Sequence, residues 1–289
     1  MINISDINKR HLSNPEPQEV KLMRNMVTSS FKDLEFLEGP HKYFLHNPDG
    51  TQIELPSVSS VIHQFEVEQD WDLIRERKAK KDNIDPGDLK RQWREINLTS
   101  TNNGTRTHFF LENLVNFWIY GEAGLDPIVK KTQYEEGFMI PYNQKEKAGS
   151  SFIEFLLGQD NIYPIMPEAR IYMGYNNTYN LRQNFCGTFD ILIGKRTDSG
   201  LETILVDWKT NNSLISDYSR KAGKMLLPPF QDLYEEPLSM YTLQLSCYQM
   251  GLEQLGINVK DRCIIWLKDD GTYEVICVPN VIDRLKLIL

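Results

Sequence analysis

The sequence predicts an α/β (α+β) fold in which helices flank a central mixed β-sheet, with a hairpin and a largely helical region ahead of it. Three observations point there. Three β-rich runs crowd between residues 162 and 210 (IYPIMPEARIYMG, QNFCGTFDILIGK and LETILVDWKT), parted by the turn clusters YNNTYN (175–180) and RTDSG (196–200). The segment GTRTHFFLENLVNFWIY (104–120) carries apolar residues at helical spacing and is too long for a typical strand. A second apolar helix, SMYTLQLSCYQMGLEQLG (239–256), is stopped by Gly256 and leads into a hairpin, CIIWLKDDGTYEVICV (263–278), turning at DDG.

The remaining elements follow in order. Residues 1–30 are polar and contain NPEP, which predicts a poorly ordered or loosely docked lead-in. Residues 31–289 then read as one domain, with hairpin and helices over 31–160 and the sheet-containing core over 161–289. Residues 42–46 and 51–55 flank NPDG, a strong turn signal, and so form a hairpin. After Pro56, Ser57 is placed to cap a short helix. Residues 69–97 read as two charged helices broken at IDPGD (84–88) and separate from the helix at 104–120. A loop-rich stretch runs over 121–147, SSFIEFLLGQ (150–159) is a helix, 211–237 is a long loop, and the last residues look helical. There is no internal repeat and no low-complexity segment.

With 40% apolar and 25% charged residues in 289, the chain has material for a sizeable core. No stretch approaches the ~18 consecutive apolar residues of a membrane span, and the polar N-terminus lacks a secretion signal, so a cytoplasmic protein is expected. Cys186, Cys247, Cys263 and Cys277 are irregularly spaced with no C-x-x-C pair, which predicts buried thiols rather than a metal framework. The net charge of −8 works against a nucleic-acid partner, but basic residues cluster at 75–81, 89–94 and 218–224.

The chemistry concentrates in two of the β runs. Asp207 and Lys209 are two apart in LVDWKT and so share a strand face, as a metal ligand beside a phosphate-facing cation would. Antiparallel pairing across RTDSG brings Asp190, in GTFDILI, near Asp207. Two facing carboxylates need positive charge between them, which a magnesium ion with oxygen ligands supplies. Phosphodiester hydrolysis uses such a set: metal-activated water, and a lysine that orients the water or offsets the developing anion. A surface salt bridge is the plain alternative for one D-x-K, but both acids sit in apolar strands. His108 and Glu112 share a helix face four residues apart, as do Gln244 and Tyr248, and Glu168 offers a further carboxylate beside Arg170. Each has a structural alternative: a satisfied histidine, one buried hydrogen-bonded pair, an exposed salt bridge.

Taken in order, GTRTH (104–108), PEARI (167–171), GTFD (187–190), DWKT (207–210) and QLSCYQ (244–249) resemble the PD-(D/E)XK nuclease superfamily, most closely the branch with the RecB nuclease domain and the small phage and mitochondrial exonucleases. The upstream PSVSSVI is similar to a segment of such proteins. The resemblance implies a restriction-endonuclease-like core. It implies that His108, Asp190, Asp207 and the Trp208 main-chain carbonyl bind Mg²⁺ (Mn²⁺ as an alternative), and that Lys209 is the catalytic lysine with Glu168 beside the metal. Gln244, Tyr248, Glu112 and Arg106 would support the site or contact DNA. The cysteines that hold an iron–sulfur cluster in CRISPR-associated relatives are missing, so no cluster is expected, and no Walker motif is present.

The expected activity is a metal-dependent DNA exonuclease working from free single-stranded ends in recombination, repair or phage genome processing, with recombination or replication proteins as partners. A structure-specific or restriction-like endonuclease and a non-catalytic DNA-binding subunit on the same fold are the alternatives. The helices of 69–97 and 104–120 would guide the strand, with Trp93, Phe109 and Trp118 as candidate stacking residues.

Overall fold

A computed structural model describes residues 1–37, 39–174, 179 and 183–289. The YNNTYN turn cluster therefore lies almost wholly outside the described residues. In chain order the elements begin with β1 (Ile2–Asn3), α1 (Ile4–Ser13), α2 (Gln18–Ser30), β2 (Leu34–Leu37), β3 (Lys42–His46), β4 (Gln52–Leu55) and α3 (Val58–Ile62). Next come α4 (Trp71–Asp82), α5 (Pro86–Tyr120), α6 (Pro127–Thr132), β5 (Tyr134–Glu135), β6 (Phe138–Met139) and α7 (Gln144–Leu157). The second half contributes β7 (Ile162–Met173), β8 (Phe185–Thr197), β9 (Gly200–Lys209), α8 (Asp217–Ala222), α9 (Pro237–Glu253), β10 (Val259–Leu267), β11 (Tyr273–Cys277) and α10 (Ile282–Leu285).

The central sheet has the order β11-β10-β9-β8-β7. It is mixed: β9 and β10 run parallel, joined through α8 and α9, while the other neighbours are antiparallel. Strands β7 to β10 are largely apolar on both faces because both are covered, whereas the edge strand β11 is mostly exposed. One face carries Phe189, Leu192 and Leu205 against α9, α3 and α2; the other carries Ile193, Val206 and Trp208 against α5 and α7. Helix α9 is buried nearly all round, as its continuous apolar sequence requires.

The predicted hairpin is β3–β4, extended by β2 into a small antiparallel sheet. Ser57 caps α3, its side chain accepting from the Ser60 N–H. The expected break at 84–88 is real: Asn83 ends α4 in the left-handed conformation, and Asp85 caps α5 with Pro86 in its first turn. The expected second break, between 97 and 104, does not occur. With no proline there, α5 runs on for 35 residues, about 52 Å at 1.5 Å per residue. The loop of 211–237 contains α8, and that of 121–147 contains α6, β5 and β6.

Residues 1–30 are a correction. They form two docked helices, not a loose lead-in: Ile7, Val20 and Val27 are buried. The Arg10 guanidinium, itself buried, donates to the carbonyls of Leu157 (2.8 Å), Gln159 (2.6 Å) and Ile162 (2.6 Å) and lies over the Trp118 ring. Arg24 donates to the carbonyls of Ile165 and Pro164. A segment of low apolar content thus holds the start of β7 through two arginines, an anchorage that hydrophobic patterning does not register. Among the thiols, Cys186, Cys247 and Cys263 are buried as expected, whereas Cys277 on the edge strand is exposed.

Candidate active site

The hairpin register builds the centre. Its tightest rung is Thr197 opposite Gly200, and pairing continues to Ile191 opposite Val206. The next position sets Asp190 beside Asp207, and there the two strands part. Asp190 fills the opening: its Oδ2 accepts from the Trp208 main-chain N–H at 2.6 Å, and its Oδ1 meets His108 Nδ1 at 3.0 Å. Trp208 therefore reaches the site through its N–H; a role for its carbonyl stays an implication of the resemblance.

Glu168 arrives from the other side of β8. The β7–β8 ladder pairs Pro167 with Ile191 and Ala169 with Phe189, and between them Glu168 has a positive φ of 44°. A glutamate in left-handed backbone within a strand is uncommon and costs energy. The outcome is a side chain turned toward Asp190 rather than toward Arg170, which donates to the Leu34 carbonyl. His108, Glu168 and Asp190 each offer a ligand atom, and the three atoms lie within 4.8 Å of one another. That spacing and the nitrogen-plus-oxygen donor set suit a divalent transition metal or manganese, and magnesium if water completes the shell.

Asp207 is held differently. The Lys209 ammonium lies against its Oδ2, yet this buried oxygen accepts no well-formed hydrogen bond among the described residues. Lys209 also donates to Gln244 Oε1 (3.2 Å) and sits 4.1 Å above the Tyr241 ring, while Gln244 donates to the Tyr248 hydroxyl at 2.9 Å. The Gln244–Tyr248 pair thus props the lysine. Gly187 leaves room for it, since a Cβ there would lie 2.7 Å from Tyr248 Cε1. Tyr241, one helical turn before Gln244, is a site residue that the sequence reading missed; its only signal was that spacing.

The charges are in tension. Burial, and then Asp190, raise Asp207 to about 7 despite Lys209. Burial also works against the Asp190 anion, but His108 and then Lys209 outweigh it and hold Asp190 at about 2. Burial opposes the His108 cation as well, and Asp190 overcomes it so that the imidazole titrates above its usual value. Glu168 is raised well above the carboxylate range by burial, Asp190 and Glu112. Glu112, one turn beyond His108, therefore belongs to the same acidic neighbourhood. A cluster with four buried or half-buried acids, Asp207 among them titrating near neutral pH, is short of positive charge.

Arg106 is the residue the structure takes elsewhere. Two positions from His108, it projects from another face of α5, where its Nε donates to the fully buried Glu146 at 3.1 Å and its guanidinium covers the Tyr142 ring at 4.4 Å. Trp118 is buried in the core, and Phe109 packs against the same cluster.

Fold and site together define a mixed α/β protein with a buried histidine–carboxylate–lysine centre at a parting of two strands. No family model matches the chain, and no curated protein matches it significantly. No helix among the described residues is long and apolar enough to cross a membrane.

Proposed function

We propose that this chain is a metal-dependent nuclease on a restriction-endonuclease-like core, hydrolysing DNA phosphodiester bonds as an exonuclease from free ends. The observation that carries the reading is the juxtaposition, at one opening in the sheet, of Asp190 and Asp207 with His108 and Glu168 on one side and the Lys209–Gln244–Tyr248 chain on the other. A divalent ion, magnesium or manganese, bound by His108, Glu168 and Asp190 with Asp207 alongside, would activate water and offset charge on the phosphate.

The chain's own groups have separable tasks. Burial favours the neutral amine, but Asp207 outweighs it and keeps Lys209 charged, so its ammonium can orient the attacking water or stabilise the phosphorane oxygens. Gln244 fixes that ammonium, and Tyr248 fixes Gln244. Asp190 holds His108 in one orientation while taking the Trp208 N–H on its second oxygen. Roles in recombination, repair or phage genome processing, alongside replication or recombination proteins, fit this chemistry.

The test is cleavage of end-labelled single-stranded DNA and of closed circular DNA, with magnesium, manganese or EDTA, by wild type and by Asp207→Ala and Lys209→Ala. Metal-dependent loss of the linear strand alone, abolished in both variants whose melting remains cooperative, is expected. Cutting of the circle would make the protein an endonuclease. DNA binding without cutting under any condition would make it a binding subunit.

A further inference from the structure

A groove of about 1110 Å³ opens from the site, and its inner end is formed by Lys209, Tyr241 and Gln244. Its outer walls come from α4 and the segment before it on one side, and from α8 and its flanks on the other. At the upper end of the ~300–1,000 Å³ typical of ligand pockets, the groove has room for a segment of a polymer.

The lining has an unusual character for a site facing a polyanion. Glu66, Glu68, Glu235 and Glu236 outnumber Lys209 and Lys224. Three of these acids are engaged internally: Glu66 with His63, Glu235 with Gln69, and Glu236 with Arg220. Such a wall cannot hold a strand mainly by neutralising phosphates. What it does offer is aromatic surface in water. Trp71, first residue of α4, is 63% exposed, and Tyr218 is 68% exposed. Two of the groove's aromatics have a cation beside them: the Lys224 ammonium lies 5.1 Å from the Tyr218 ring centre, and at the inner end Lys209 sits over Tyr241. Large aromatics left in solvent at a groove wall suit stacking on bases, with the neighbouring cation available to the phosphate of the same nucleotide.

We infer that this groove seats an unpaired nucleic-acid strand, held chiefly by stacking of its bases on Trp71 and Tyr218 as it leads to Lys209. A duplex hides its base faces in the stack, leaving nothing for these aromatics to stack on, while its phosphates are repelled by this acidic wall and the net charge of −8. The inference rests on the nuclease reading of the site and adds the groove and the two aromatics, Trp71 and Tyr218, that hold the single strand.

The test measures binding without cleavage. Anisotropy of labelled oligo(dT), alone and annealed to oligo(dA), is followed in EDTA across a salt series. The proteins compared are wild type, the Trp71→Ala/Tyr218→Ala pair and the Trp71→Phe/Tyr218→Phe pair. The single strand should bind more tightly than the duplex. Its log–log salt slope should be no steeper than about −1.4, as expected for two neutralised phosphates at roughly 0.7 each. The alanine pair should lose at least about 10-fold in affinity, and the phenylalanine pair should retain most of it. Photocrosslinking of bromouracil-substituted strand to the wild type should map to Trp71 or Tyr218, whatever the fate of the variants. Duplex binding as tight as single-strand binding, an alanine pair equal to wild type, or crosslinks only elsewhere would each overturn the inference. A protein that binds the strand here but never cuts it would remove the nuclease reading and leave the groove standing. Undiminished cutting by the alanine pair would do the reverse.

Discussion

Asp207 shows how one residue sets the pH behaviour of the metal-free centre. Its carboxyl moves from an ordinary 3.8 to about 7, so between these values the folded protein keeps a proton that the unfolded chain has released. Stability from this group is therefore present at acid pH and lost as pH rises through about 7. His108 acts in the same direction, because its folded value lies above the ordinary 6.5. Asp190, held at about 2, acts oppositely, and its contribution is lost only as pH falls from about 4 toward 2. Metal-free wild type should thus be less stable at pH 8 than at pH 5.5, and Asp207→Asn should narrow that difference, both read as melting temperature in EDTA. An equal or wider difference in the variant would exclude Asp207 as its source. Manganese should restore wild-type stability at pH 8, since a bound cation stabilises only the folded state.

At the scale of elements, α5 joins two dissimilar halves. Its C-terminal part is core, with Phe110, Leu111, Leu114 and Phe117 fully buried. Residues 94–103 (REINLTSTNN) are exposed on every side through nearly three turns, including Ile96 at 64% and Leu98 at 52%. Asparagine, threonine and serine are weak helix formers, and no packing compensates them here. This bare stretch stands directly before His108, and Ser100, Thr101 and Asn103 line a second cleft together with Lys145 and Thr210. Amide hydrogen exchange should run at least about 100-fold faster over 97–103 than over 110–118. Uniform protection along α5 would mean that the helix is a single stable unit. Three of the basic residues of α4 and early α5 pair locally, Arg75 with Asp72, Lys78 with Asp82 and Arg91 with Asp88.

For the whole molecule, the N-terminal helices decide how the two cores hold together. Val20 and Val27 of α2 belong to one core cluster, while Ile2 and Ile7 belong to the other. Arg10 ties α1 to the turn between α7 and β7. Arg10→Ala takes the guanidinium away from three carbonyls and removes the packing over Trp118 and Tyr163. The expected loss is about 3 kcal/mol or more, lowering Tm by at least about 5 °C. A variant lacking residues 1–30 should aggregate or melt without cooperativity. An unchanged Tm for Arg10→Ala would return this segment to the status of a loose lead-in.

Local chemistry was legible in the sequence wherever a short-range rule suffices. Strand alternation put Asp207 and Lys209 on one face, the turn RTDSG placed Asp190 opposite Asp207, and four-residue spacing joined Gln244 to Tyr248. Ser57 marked a helix start and IDPGD (84–88) a helix break because capping and turn formation depend on a few adjacent atoms. Tertiary structure alone decided what depends on distant partners. It continued α5 through 97–104, turned Arg106 to Glu146, docked residues 1–30 by arginines on carbonyls, and left Trp71 rather than Trp118 facing water. Periodicity reports how apolar a face is; it does not report which face a neighbour covers, and burial of these side chains is settled by that neighbour.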